Sequence, residues 1–339
     1  MFRALFLCSA ALSAQQTIKP PVIGVIDYYG LRKASKERIE KALEVKVGSP
    51  LPRSKGEIEL QIELVNNVVR ANLEAICCED GKAILYVGIL EKGAPTFDYR
   101  EAPSTTDLHL PEEIVDTWNA FFEQLNIAVR DGKTAEDLTK GHSLMAFAPA
   151  RAEQEKFPAL ADKHLIAIRN VLRNSADETE RAIAAYVIGY VSDKTKALDD
   201  LLYAIRDPDD GVRNNATRSL AALTVLANLS KDPALKISPT WFIEQMNSII
   251  WTDRNKASFA LVPLTESRDA TTLALLKERA LDSMVDMARW KSLGHALPGF
   301  ILLARSAGWE ETKIQETWAA GKHLEAVEQI LKEFSSKKK

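Results

Sequence analysis

The chain has 339 residues, 46% of them apolar, with 44 basic and 47 acidic side chains and a formal net charge of −3. That near balance supplies no basic field for nucleic acid or an anionic membrane. The apolar content excludes a disordered chain, and the length admits about two domains, each with its own core.

The first residues, MFRALFLCSAALSAQQ, read as an export signal over residues 1–14. Arg3 forms a minimal charged region, Ala4–Leu12 an apolar run, and Ser13 and Ala14 are small, with cleavage expected near Ala14–Gln15. The apolar run is too short to span a bilayer, and no later stretch is long and apolar enough to do so. Bulky Phe6 and Leu7 ahead of Cys8 argue against a lipid anchor. Removal of the signal leaves Cys77 and Cys78, which are adjacent. Neighbours on a strand point to opposite faces, so the pair is read as two small strand residues rather than a disulfide. These features imply an exported protein, periplasmic or extracellular.

Residues 20–93 form the first unit. PVIGVIDYYG (Pro21–Gly30) is a strand closed by glycine, and SKERIEKAL (Ser35–Leu43) has helical spacing with Ile39, Ala42 and Leu43 on one face. After the turn VGSPLP, a second helix is expected over Ser54–Arg70, opened by Ser54 and Glu57 at capping-box spacing and striped by Ile58, Ile62, Val65 and Val69. ANLEAICC and AILYVGIL are strands joined by a turn at Glu79–Lys82. The order β-α-α-β-β, with its closing glycine and Gly-x-Pro-Leu turn, resembles a single POTRA domain. The resemblance implies an export-side module that holds other proteins, often by adding a strand to a sheet edge. An ordinary small α+β domain is the alternative.

Residues 94–149 read as a linker and a capping helix. Pro95, Pro103 and Pro111 punctuate the linker, and LPEEIVDTWNAFFEQL begins a helix whose buried stripe is Ile114, Trp118, Phe121, Phe122 and Leu125. Within this stretch, GHSLM has a methionine, Met145, where a nucleophile elbow carries its last glycine, and no strand precedes it. Ser143 is therefore expected to sit in a turn as a helix N-cap. The five histidines are scattered and lack metal-ligand spacing, and no glycine-rich phosphate loop occurs. No catalytic, cofactor or metal residue is assigned. The six tryptophans fall mostly on helical apolar faces and are read as core.

Residues 150–334 carry almost no strand signal and an internal repeat. Arg181, Arg213, Arg254 and Arg289 each have a small residue three positions on and, in the first three, a Leu or Ile seven positions on. RNNA (Arg213–Ala216) and RNKA (Arg254–Ala257) are near copies, and a helix-sized apolar segment precedes each arginine. Helix pairs recurring at this spacing form an α-solenoid. DPDDGVRNNATRSLAAL, from Asp207, resembles the HEAT repeat, and the resemblance covers Leu165 to Leu303. The fourth copy departs most, with Ser292 and Ala296 at the small and apolar positions and Pro298 inside the expected helix. A basic tail, 335–339, ends the chain.

The fold class expected is mainly α, a HEAT-like α-α solenoid preceded by a small α+β (β-α-α-β-β) domain. The resemblance implies a protein-binding scaffold rather than an enzyme, its protein partner unspecified. The alternatives are a subunit of an envelope protein-assembly complex, or a HEAT-like lyase or other enzyme. The arginines are expected to form a structural ladder, each bonding turn carboxylates or carbonyls of its own or the neighbouring repeat, with Asp209 and Asp210 as local partners of Arg213 and Asp177 as the partner of Arg181.

Overall fold

The computed structural model describes residues 21–336. The expected export signal, Cys8 and the lysines Lys337–Lys339 lie outside the described residues.

The N-terminal unit contains β1 (Ile23–Tyr29), α1 (Lys36–Leu43), α2 (Lys55–Glu63), β2 (Val68–Glu79) and β3 (Lys82–Glu91). The sheet order is β1-β3-β2, with β1 parallel and β2 antiparallel to the central β3. Ser35 and Ser54 cap the two helices by accepting from the N–H groups of Arg38 and Glu57. The second helix is shorter than its periodicity suggests. It ends at Glu63 in a tightened last turn, where Leu64 N bonds Gln61 O and Val65 N bonds Ile62 O; Asn67, at a φ of 74°, then turns the chain into β2, which starts at the β-branched pair Val68–Val69.

The central strand is buried along nearly its whole length because both faces of the sheet are covered. Leu85, Val87 and Ile89 join Ile39, Leu43 and Ile62 in a core between sheet and helices. Ile84 and Tyr86 point the other way and belong to the core of the helical domain. This explains the unbroken apolar run AILYVGIL, since a strand covered on one face would alternate. Cys77 is disulfide-bonded, which corrects the expectation that it is merely a small strand residue.

An extended segment, residues 94–110, leads to α3 (Glu112–Arg130). The two-residue strands β4 (Glu136–Asp137) and β5 (Leu144–Met145) pair antiparallel, and α4 (Ala148–Gln154) follows. Ser143 is therefore not a helix N-cap. It is buried just before β5, and its carbonyl accepts the Tyr190 hydroxyl at 2.6 Å.

The solenoid is a series of helix pairs: α5 (Phe157–Asn174) with α6 (Glu178–Val187), α7 (Thr195–Ala204) with α8 (Asp210–Ser230), and α9 (Thr240–Gln245) with α10 (Trp251–Leu264). A fourth unit has its first half split into α11 (Ala270–Arg279) and α12 (Leu281–Ala288), packed on α13 (Leu293–Ser306). The helices α14 (Glu311–Ala319) and α15 (His323–Ser336) close the end of the stack. The second helices α6, α8, α10 and α13 pack in succession and carry the fully buried Ala184, Ala216, Leu220, Ala257, Leu261, Ala296 and Leu303. Small residues at the first of these positions let neighbouring helices approach. The α13 helix continues through Pro298.

Candidate functional site

Three of the four sequence-marked arginines occupy the same place in their helices. Arg181, Arg213 and Arg254 each stand four residues after the N-cap residue, which is Asp177, Asp209 and Ile250 respectively. All three are buried, at 2%, 2% and 5% exposure, far below the usual arginine.

The guanidinium groups of Arg181 and Arg213 tie their turns to the next repeat. Arg181 Nη1 donates to the carbonyls of Ser175 and Ala176, at 3.0 and 3.1 Å. Its Nε and Nη2 form a fork on Asp207, at 3.0 and 2.9 Å. Arg213 repeats the arrangement: Nη1 donates to Asp207 O and Pro208 O, both at 2.8 Å, while Nε reaches Asp253 at 2.9 and 3.1 Å. Asp207 and Asp253 are themselves fully enclosed. Asp253 also accepts from the Ser248 hydroxyl at 2.6 Å and, more weakly, from Gln245 at 3.3 Å.

The local partners expected from sequence are corrected by this geometry. Asp177 and Asp209 cap helices, accepting from Glu180 N at 3.0 Å and Val212 N at 2.9 Å. Asp210 occupies the first turn of α8. An aspartate that caps its own helix aims its oxygens at that helix's N–H groups, so the arginine takes its carboxylate from the next repeat instead. Arg289 is also corrected. It ends α12, exposed, and pairs with Glu328. The position equivalent to Arg213 in α13 is Ala296, four residues after the N-cap Ser292, so the repeat at Arg289 lies seven residues out of phase with the others. Two helical turns separate the alternatives, and both keep the same face, which is why the spacing misled.

The third rung differs. Arg254 Nε donates to Ser248 O, and the guanidinium lies over the Tyr29 ring, 4.6 Å from its centroid. No carboxylate pairs with it among the described residues, and Nη1 has no hydrogen-bond partner. Burial lowers its pKa, and Asp286 acts in the opposite sense. Asp286 is engaged from the other side: Arg32 forks onto it through Nη1 and Nη2, both at 2.8 Å, and the Gly30 N–H donates at 2.8 Å.

The edge that carries these turns is covered by the chain itself. The extended segment runs back along the stack, against the direction of the repeats. Tyr99 lies under the Arg213 guanidinium at 4.4 Å, and its hydroxyl is 2.7 Å from Ser248 Oγ. Arg100 N donates to Arg206 O at 2.8 Å and its guanidinium stacks on Tyr203. Thr105 then bridges to Ser175, donating to Asn174 O and accepting from Ala176 N.

The N-terminal sheet seats on the third and fourth units. Tyr86 stacks on Trp251 at 5.0 Å and packs against Trp290 at 4.8 Å, with its hydroxyl 2.7 Å from His295 Nδ1. Tyr29 donates to Ile249 O at 2.6 Å. Burial lowers the pKa of the His295 ring, favouring its neutral form. Trp251, Trp290 and Trp309 are core residues, as the helical faces suggested, but two of them are sealed by the N-terminal sheet and not by the solenoid alone. Sequence reasoning did not find Tyr29, Arg32, Tyr86 or Tyr99. The signal available was the aromatic pair Tyr28–Tyr29 at the end of β1 and the doubly apolar β3.

Among the described residues, no group of three or more His, Cys, Asp or Glu side chains is placed to hold a metal ion, and no helix is long and apolar enough to cross a membrane. Residues 167–236 match the family described as HEAT repeats, a stretch from within α5 through α8 and into the loop that follows it. No curated protein and no solved structure gives a significant match.

Proposed function

We propose that the chain is an exported scaffold that holds another protein on its helical surface and carries out no catalysis of its own. The observation that supports this most directly is the repeat stack, with HEAT repeats matched over 167–236. HEAT repeats are interaction scaffolds, and stacks of this kind present long faces whose energetics are local. The buried ladder and its covering segment hold the turn edge internally, so the outward helices are the surface offered to a partner. Export rests on Arg3 and the apolar run Ala4–Leu12. A disulfide at Cys77 supports the same compartment, because disulfides persist in oxidising surroundings.

A role within an envelope protein-assembly complex is the second reading, favoured by the β-α-α-β-β order of the POTRA-like unit. Strand addition at β2 is restricted. Glu63 already accepts from Ala71 N at 3.0 Å and Glu59 from Leu73 N at 2.6 Å, so two N–H groups on one edge of that strand are engaged.

Affinity capture of the natively expressed chain from its envelope extract tests both readings. A stoichiometric protein partner, with the captured chain lacking about its first 14 residues by intact mass, is the expected result. A full-length cytoplasmic product would overturn export. Co-purification of a chromophore or substrate in place of a protein would overturn the scaffold reading in favour of a lyase or other enzyme.

A further inference from the structure

Between the N-terminal unit, the third and fourth helix pairs and the last helix lies a cavity of about 780 Å³. Its walls include Arg254, Ile249, Leu281 and, from α15, Leu331 and Phe334. This volume falls in the range of small-molecule sites, which are mostly apolar with a few placed polar groups.

Arg254 is the chemically distinctive part of that wall. In the first two rungs a buried guanidinium meets a buried carboxylate from the next repeat. In the third, Arg32 and the Gly30 N–H have taken Asp286, and Arg254 keeps one carbonyl and the face of Tyr29. A guanidinium that is 5% exposed, with Nη1 unpartnered, is a costly arrangement unless an anion completes it. None of the three acids in the cavity wall bonds Arg254, and Glu278 is exposed on α11. Glu91 accepts the N–H groups of Arg32, Lys33 and Ala34, and Asp282 faces Arg32 at 3.4 Å. Lys277, also in the wall, sits over the Phe334 ring at 4.0 Å and adds positive charge near the mouth.

We propose that this cavity binds a carboxylate carried on an apolar body, with Arg254 as the anchoring residue and the Ile249, Leu281, Leu331 and Phe334 side chains receiving the apolar part. The carboxylate repeats what Asp207 and Asp253 supply to Arg181 and Arg213. Its source is either the C-terminus of a peptide or a free organic acid. The inference is independent of the scaffold reading, since the site is built by the chain alone.

Calorimetric titration of the full chain tests it with four probes: 3-phenylpropionate, its amide, N-acetyl-Leu-Phe with a free carboxylate, and the same dipeptide as its amide. The carboxylates are expected to bind at least about ten-fold more tightly than the amides, as a hydrogen-bonded charge pair requires. Arg254→Met should retain the wild-type unfolding midpoint or exceed it, because it removes an unpaired buried charge, and should lose the carboxylate preference. Ala274→Trp, at an exposed position in the cavity wall, should weaken binding without touching the anchor. Tighter binding of the dipeptide assigns peptide termini and tighter binding of phenylpropionate assigns free acids; both support the site. Amides binding as well as carboxylates, inorganic phosphate binding more tightly than either acid, unchanged affinity in Arg254→Met, or no binding of any carboxylate at about 10 mM would overturn it.

Discussion

Arg32, in the loop after β1, grips Asp286 of α12 through two parallel hydrogen bonds of 2.8 Å, and so joins residues 254 positions apart. The Gly30 N–H adds a third bond to the same carboxylate. The N-terminal unit is therefore docked by charge at one end and by aromatic packing at the other, where Tyr86 meets Trp251 and Trp290.

Arg32 is about one-third exposed while Asp286 is largely covered. Its contribution lies near the upper end for exposed pairs, about 1 kcal/mol. Arg32→Ala should lower the chain's stability by that amount and raise hydrogen exchange selectively in β1 and the loop that follows. Exchange that rises equally across α6 and α8 would show that the docking contact and the solenoid are one cooperative unit.

The ladder gives a sharper contrast. Arg213→Ala strands Asp253 at 0% side-chain exposure with its charge uncompensated, a loss of about 3–5 kcal/mol. Arg289→Ala removes an exposed pair with Glu328 and should cost no more than about 0.5 kcal/mol. Urea unfolding midpoints of the two variants check this directly. Equal effects would mean that the sequence repeat, and not the geometry, identifies the rungs.

The repeat was legible because helix pairs impose a period on the sequence: Arg213 and Arg254, each followed by an alanine and a leucine, mark the same place in α8 and α10. The turn carbonyls and a neighbouring repeat were expected as partners, but which carboxylate each arginine takes was not legible. Asp253 lies 40 residues from Arg213, and Asp209 and Asp210 are nearer in sequence, but N-capping had already claimed Asp209. Arg289 failed for a different reason. A shift of seven residues preserves helical phase, so periodicity cannot distinguish Arg289 from Ala296. The end of α2 was hidden too, because Val65 and Val69 continue its helical stripe beyond Glu63, where the helix stops. The docking of the N-terminal sheet left one trace, the unbroken apolar run of β3, whose second face is explained only by Trp251 and Trp290.

Gly88 tests how closely the sheet sits on the solenoid. A Cβ there would meet Ile249 O and the Tyr29 ring, each at 2.6 Å, and one of them is backbone that cannot rotate away. Gly88→Ala should push β3 off the Trp251–Trp290 surface, with a cost of about 1–3 kcal/mol as for overpacking elsewhere. Tryptophan emission should shift to the red as the indoles become hydrated. Unchanged emission and stability would mean that the sheet adjusts by sliding and that the aromatic contact is not tightly fitted.

Acid should loosen the start of the solenoid through His142. Burial, reinforced by the nearby positive charge of Lys194 and Lys140 and only weakly opposed by Asp137, holds this imidazole down to about 4 from an ordinary 6.5. Lys194 Nζ lies 2.9 Å from its Nδ1, which must be the unprotonated nitrogen for that contact to be attractive. The unfolded chain takes up a proton on this group as pH falls through 6.5, whereas the folded chain resists until about 4. Stability is therefore complete above about pH 6.5, declines across that interval, and levels off below it. His295, also held down by burial, contributes with the same sign. His142→Phe preserves the ring beside Tyr190, whose centroid is 4.8 Å away, and removes the titration. The variant should show a shallower loss of unfolding free energy than wild type between about pH 7 and about pH 4.5. Parallel profiles would mean that the imidazole is solvated in the folded chain and that acid acts elsewhere.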